Sequence, residues 1–187
     1  KVIRNLLDRI VEAAAQEQLS IGCIQKVGGK AAKNGGSSIR EATSNLDVIT
    51  ALADGTAQIA GGTARLWARE DLRNSVDVLF VDEGGKMSLA NVLAVAQPAD
   101  SVVLLGDPQQ LDQPLQGTHP EGVEVSALQH LLQDKQTIPA HRGLFLAETW
   151  RLHPSICTLT SELFYEGRLI SQPDLDRQAL CGPTPFA

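Results

Sequence analysis

The chain has 187 residues, 43% hydrophobic and 4% aromatic, with a formal net charge of −6. That length fits one domain or a domain plus the start of another, and the apolar content is enough for a core, which excludes disorder as the default. The acidic balance argues against a small electrostatic nucleic-acid binder, which is ordinarily basic, and no apolar run approaches the ~18 residues that span a bilayer.

An amphipathic helical pattern covers roughly residues 1–18, with Val2, Leu6, Ile10 and Ala13 on one stripe and Leu7, Val11 and Ala14 beside it. No capping Ser, Thr, Asp or Asn precedes it, as expected of a sequence entered in mid-domain. Residues 21–27 read as a short strand and 28–38 as a Gly/Lys/Ser-rich loop. Asn45 is placed to cap a helix over 46–53 that ends at Asp54-Gly55, and 57–60 read as a weak strand before Gly61-Gly62-Thr63. Residues 76–81 are apolar except for Asp77 and end at Asp82-Glu83. A helix over 88–96 and a strand over 101–105, ending at Gly106-Asp107, complete a strand–helix–strand unit. Such a unit belongs to a parallel sheet, whose strands are continuous aliphatic runs rather than alternating ones. The fold class is therefore read as α/β. A loop over 112–124, a helix over 126–133, a strand over 143–147 and a helix opened by His153-Pro154 and reaching Phe164 follow, before a polar, Pro-rich tail.

Cys23, Cys157 and Cys181 are far apart, show no C-x-x-C pair and are odd in number, which reads as reduced thiols in a cytoplasmic protein. His119, His130, His141 and His153 show no metal-ligand spacing, and no signal peptide is read at the start.

Ligands of open parallel sheets bind beyond the carboxyl ends of the strands. Both acidic turns, Asp82-Glu83 and Gly106-Asp107, belong at that edge. An aliphatic strand ending in Asp-Glu suits nucleoside-triphosphate hydrolysis: the first carboxylate holds Mg²⁺ through its water shell, and the second orients and deprotonates the attacking water. An acidic pair before a helix is the plainer alternative. In Gly106-Asp-Pro-Gln-Gln-Leu111, the glycine allows a tight turn, and Gln109 and Gln110 offer amides to a phosphate oxygen or to water; a simple Asp-Pro turn is the alternative there. The two turns one strand–helix–strand unit apart are more specific than either alone.

Val78-Leu-Phe-Val-Asp-Glu-Gly-Gly-Lys86, Leu104-Leu-Gly-Asp-Pro-Gln-Gln-Leu111 and Glu148-Thr-Trp-Arg-Leu-His-Pro154 resemble motifs II, III and IV of superfamily 1 DNA and RNA helicases. They are most similar to the 5′-to-3′ branch with its Upf-like and RecD-like enzymes. Ser161-Glu-Leu-Phe-Tyr-Glu-Gly-Arg-Leu169 resembles the segment after motif IV, the opening helix the one after motif Ia, and Gly61-Gly-Thr-Ala64 a strand-contacting motif ahead of motif II. The resemblance implies a RecA-like parallel sheet flanked by helices, with residues 1–142 forming a partial first ATPase domain and 143–187 the start of a second. It implies ATP and Mg²⁺ as cofactors and single-stranded DNA or RNA as partner. It makes Asp82 the Mg²⁺ ligand, with Glu83 beside the metal as base, and Gln110 the γ-phosphate sensor. Arg151 becomes an arginine finger, a planar cation that adds on the order of 10³–10⁵ in rate, and Thr63 a contact to the nucleic-acid backbone.

Two departures stand out. The family pattern Asp-Glu-Ala-x-Gln reads here with Gly84 for Ala and Lys86 for Gln. The phosphate-gripping P-loop is also absent, for at Gly28-Gly29-Lys30 the first required glycine is Ile24 and the required hydroxyl is Ala31. That loop reads instead as a basic segment (Lys26, Lys30, Lys33, Arg40). Without a P-loop the chain alone is expected to be inactive. With the P-loop and motif Ia strands upstream in the family, the sheet is expected to hold a gap or an unpaired edge prone to self-association. A non-catalytic or switch-type interaction module is the alternative reading.

Overall fold

The computed structural model describes residues 2–29, 38–110 and 125–179. Lys30, Ala31, Lys33, Leu111, His119 and Cys181, the loop expected over 112–124 and the end of the tail lie outside the described residues.

Helix α1 (Val2–Gln16) forms on the expected stripe and buries Leu7 and Ala14. Leu7 packs with Cys23 and Ile39, and Ile3, Ile10 and Val11 lie against that cluster. Strands β1 (Cys23–Lys26), β2 (Ile39–Ala42) and β3 (Ile59–Gly61) make a parallel sheet in the order β2-β1-β3. β2 is not announced by its sequence, because Arg40 and Glu41 fill its middle. Its pairing with β1, Cys23 opposite Ile39, is what turns Ile39 and Ala42 into the core. Helix α2 (Asn45–Ala53) is capped by Ser44 rather than Asn45, the Ser44 Oγ accepting from the Leu46 amide at 3.1 Å. Such a cap contributes about 1 kcal/mol.

Short helix α3 (Ala64–Trp67) and a 3₁₀ turn at Glu70–Leu72 deliver Leu66, Trp67 and Leu72 to the main core, where they meet Ile24, Val48, Leu79, Val81 and Val95. The expected unit follows: β4 (Val76–Val81), α4 (Leu89–Ala96) and β5 (Ala99–Leu104). The two strands run parallel with Val76 opposite Ala99 and Val81 opposite Leu104. Ser88 caps α4 through the Asn91 amide, and Ser126 caps α5 (Ala127–Leu132) through the Gln129 amide. A single antiparallel bridge between Ser88 and Ser126 sets the two caps side by side.

A second strand–helix–strand unit closes the described chain: β6 (Glu148–Thr149), α6 (Pro154–Phe164) and β7 (Ile170–Ser171), with β6 and β7 parallel. The strand expected over 143–147 does not form, and the pairing segment lies just beyond it. Phe145 is drawn into a ring contact with Tyr165 at 6.3 Å and lies under the Arg168 guanidinium at 4.4 Å. Its neighbours Leu144 and Leu146 stay exposed. A tertiary contact overrides the strand preference there.

The fold is α/β, parallel sheets flanked by helices. The aliphatic run of β4 is not buried on both faces as a central strand's would be, for Val78 is 43% and Phe80 61% exposed. No helix among the described residues is long and apolar enough to cross a membrane.

Candidate active site at the strand ends

The parallel register that pairs Val81 with Leu104 brings the ends of β4 and β5 out together. Beyond it, the Leu105 amide donates to the Val81 carbonyl at 2.8 Å and the Gly84 amide to the Leu105 carbonyl at 2.7 Å. The two acidic turns are thereby bonded backbone to backbone. Their approach depends on glycine: a Cβ on Gly85 would stand 2.2 Å from the Asp107 carbonyl oxygen, and Gly106, at φ +151°, lies against the Gly84 and Gly85 amides. Only residues without a side chain let these backbones meet so closely.

Asp82 and Glu83 are exposed at this rim, while Gly84 and Gly85 are buried beneath them. The Asp82 Oδ1 accepts from the Glu83 amide at 3.0 Å, which leaves Oδ2 free for a metal's water shell. Glu83 has a left-handed backbone (φ +58°), which costs roughly 1 kcal/mol for a residue with a Cβ. Gln18, Asn74, Gln133 and Glu166 share that geometry elsewhere, so it does not by itself mark a site. The Glu83 Oε2 is paired with the Lys86 Nζ at 3.0 Å. Lys86 therefore occupies the carboxylate expected to act as base.

The neighbouring turn is built on Asp107. Its Oδ1 accepts from the Gln109 amide at 3.0 Å, and its Oδ2 accepts from the Tyr165 hydroxyl at 2.6 Å. Gln109 is spent, donating through Nε2 to the Gln136 carbonyl at 3.3 Å. Gln110 is exposed, and its side-chain amide makes no hydrogen bond among the described residues. Of the two glutamines, Gln110 is the one whose side chain has no partner among the described residues.

Tyr165 is the residue the sequence reading missed. It lies 58 positions from Asp107, and nothing local in Phe164-Tyr165-Glu166 ties it there. Burial first, then the hydrogen bond to Asp107, push its phenol well above the usual tyrosine range. Around it Thr137 donates to Glu166 at 2.5 Å, and Arg168 donates to Thr137 at 2.6 Å.

Asp82, Glu83 and Gln110 thus lie on adjoining turns at one end of β4 and β5. Arg151 sits in the bend after β6, exposed, its amide donating to the Thr149 Oγ1 at 3.3 Å, and no hydrogen bond or ion pair among the described residues joins it to those three. Thr63 occupies the cap position of α3 at the end of β3, exposed, with its hydroxyl unused as a cap.

Among the described residues no three His, Cys, Asp or Glu side chains cluster as a metal site. Mg²⁺ asks for less, since it keeps several waters and takes one or two carboxylates plus phosphate oxygens, so the free oxygen of Asp82 fits it. Gly28 and Gly29 leave the end of β1, and the next described element is strand β2.

No protein-family model matches the chain. Over 96 residues, 50% of its length, it is 31% identical to the 5′-3′ DNA helicase ZGRF1 of Mus musculus. The chain spans 5% of that protein. A distant, partial similarity to a helicase therefore stands beside an α/β fold with two acidic turns at one sheet edge.

Proposed function

We propose that this chain is part of the ATP-dependent motor of a superfamily 1 helicase, coupling nucleotide hydrolysis to movement along single-stranded nucleic acid. The carrying observation is the joining of the Asp82-Glu83 and Gly106–Gln110 turns at the carboxyl ends of parallel neighbours β4 and β5. The similarity over half of the chain to a DNA helicase supports the same reading and favours DNA as the strand. In it, residues 1–142 belong to a first RecA-like domain and 143–187 open a second, and the protein works in the cytoplasm.

When bound, ATP would supply the phosphoryl group and Mg²⁺ the positive charge that offsets the negative charge developing on it. Asp82 would hold the metal's water shell through Oδ2, the oxygen not engaged by the Glu83 amide. Glu83 swings off Lys86, an exposed pair that costs less than ~1 kcal/mol to separate, and takes the proton of the attacking water. Gln110, tied through the Asp107 turn to the Glu83 turn, reports on the γ-phosphate. Arg151 approaches from the β6 bend as the finger, and Thr63 touches the nucleic-acid backbone beyond β3.

The Lys86–Glu83 ion pair favours a second reading, a non-catalytic or switch-type module in which Lys86 competes for the carboxylate that a base would need. Glu83→Gln separates the two in a longer polypeptide that carries this chain and its own phosphate-gripping loop. The motor reading expects ATP hydrolysis and strand displacement to vanish while ATP binding persists, and unchanged turnover would sink it. Residues 1–187 alone are expected neither to bind ATP tightly nor to hydrolyse it, because their sequence lacks the P-loop pattern whose amides and lysine carry most of a triphosphate's binding energy.

A further inference from the structure

The side-chain hydrogen bond that spans the most chain among the described residues, 58 positions, joins Tyr165 to Asp107. It lands on a turn with little to hold it from within. Both of the turn's own hydrogen bonds end on Asp107. The Gln109 amide donates to its Oδ1 at 3.0 Å, and the Gln110 amide donates to its main-chain carbonyl at a longer 3.4 Å. The direction in which Asp107 points therefore decides where Gln110 is carried.

Two ties fix that direction, and both arrive from outside the turn. The Tyr165 hydroxyl donates to the Asp107 Oδ2 at 2.6 Å. The Gln109 Nε2 donates to the Gln136 carbonyl at 3.3 Å, and the Gln136 Nε2 donates in turn to the Leu163 carbonyl at 3.4 Å. Both lead to the last residues of α6. The tyrosine tie is the shorter, and bonds of that kind to a carboxylate oxygen are the stronger ones.

Tyr165 is itself held in place. Its amide closes α6 on the Ser161 carbonyl at 3.0 Å, and the chain then reverses through Glu166 and Gly167, at φ +56° and +71°. Its ring lies against Phe145, which the Arg168 guanidinium covers. Arg168 donates to the Thr137 Oγ1 and Thr137 to Glu166, which closes the surround. A phenol pinned at backbone and ring offers its O–H in one direction. Burial and the Asp107 bond keep the proton on that oxygen well above neutral pH.

The same helix reaches another residue of the candidate site. α6 starts at Pro154, three positions after Arg151, and its 11 residues at a rise of ~1.5 Å span about 16 Å. One helix thus carries the Arg151 bend at its start and the Asp107 tie at its end.

We propose that Tyr165 is a positioning residue, whose hydroxyl sets the Asp107 turn, and with it Gln110, in a fixed place relative to α6 and the Arg151 bend. The tie needs no nucleotide; its consequence for hydrolysis rests on the motor reading of Gln110.

Tyr165→Phe keeps the ring and removes the donor. In residues 1–187, amide exchange followed by NMR is expected to speed up about fivefold or more at Gln109 and Gln110, while the Leu105 amide and the amides of β4 and β5 hold within about twofold. Val48→Ala, which truncates a residue of the main core, controls for general loss of stability and is expected not to single out those two amides. Exchange that is unchanged at Gln109 and Gln110, or that quickens there and along the strands alike, overturns the tie. In the longer polypeptide with its own phosphate-gripping loop, Tyr165→Phe is expected to lower kcat for ATP about tenfold with KM within about twofold. Equal kcat, or a loss that falls on KM instead, overturns the positioning role. If that polypeptide hydrolyses no ATP before substitution, the motor reading falls, and the exchange experiment alone decides on the tie.

Discussion

Gly85→Ala tests the contact on which the candidate site rests. A Cβ there would sit 2.2 Å from the Asp107 carbonyl oxygen and 2.7 Å from its carbon, both backbone atoms that cannot rotate aside. The two turns must part by about 1 Å to restore ordinary contact. Overpacking of that kind costs about 1–3 kcal/mol. The same change at Gly84 meets the Leu104 Cβ and the Leu105 carbonyl at 3.3 Å. A shift of a few tenths of an ångström accommodates it, and the loss of unfolded-state freedom offsets the strain by about 0.4–1 kcal/mol. Gly84→Ala is therefore expected within about 0.5 kcal/mol of the parent, and Gly85→Ala about 2 kcal/mol below it. Urea unfolding followed by tryptophan emission reads both, since Trp67 is 8% exposed within the core. Equal midpoints for Gly85→Ala and the parent, with equal slopes, would mean that the turns are not in contact.

Tyr165 is the single tyrosine, so its ionisation is visible in the near-ultraviolet spectrum. Burial and the Asp107 hydrogen bond raise its pKa, so phenolate absorbance is expected to appear at higher pH than in the unfolded chain. Because the folded-state value is the raised one, its stabilising contribution is complete below about pH 10 and is lost as pH climbs through the folded value. Tyr165→Phe should remove that dependence and cost about 1 kcal/mol at neutral pH; a free-tyrosine titration in the folded protein would contradict the contact. Lys86→Gln removes an ion pair whose side chains are 32% and 56% exposed. Its expected effect on the unfolding midpoint is under about 0.5 kcal/mol, and a larger loss would make the pair structural.

The strand–helix–strand unit from β4 to β5 was legible because its signals are local: an aliphatic run, a serine cap at Ser88 and a turn glycine at Gly106. α1 and the start of α6 were legible for the same reason, one from a helical stripe and the other from His153-Pro154. β2 and β7 were not, since short strands with charged or mixed residues exist only through their ladders with β1 and β6. The two acidic turns could be picked from their positions at strand ends, whereas the choice of Gln110 over Gln109 came with the helicase resemblance. That Gln109 is engaged and Gln110 free could not be picked, because the Gln136 carbonyl that holds Gln109 arrives from 27 residues away.

Composition, periodicity and caps alone determined the α/β class, the order of most elements and the choice of acidic turns, since each depends on residues within one or two turns of chain. The tertiary structure decided that the two turns touch through glycine backbones, that Lys86 holds Glu83, and that Tyr165 anchors Asp107. Those outcomes depend on distances between segments far apart in sequence, and local preference carries no information about such distances until the chain packs.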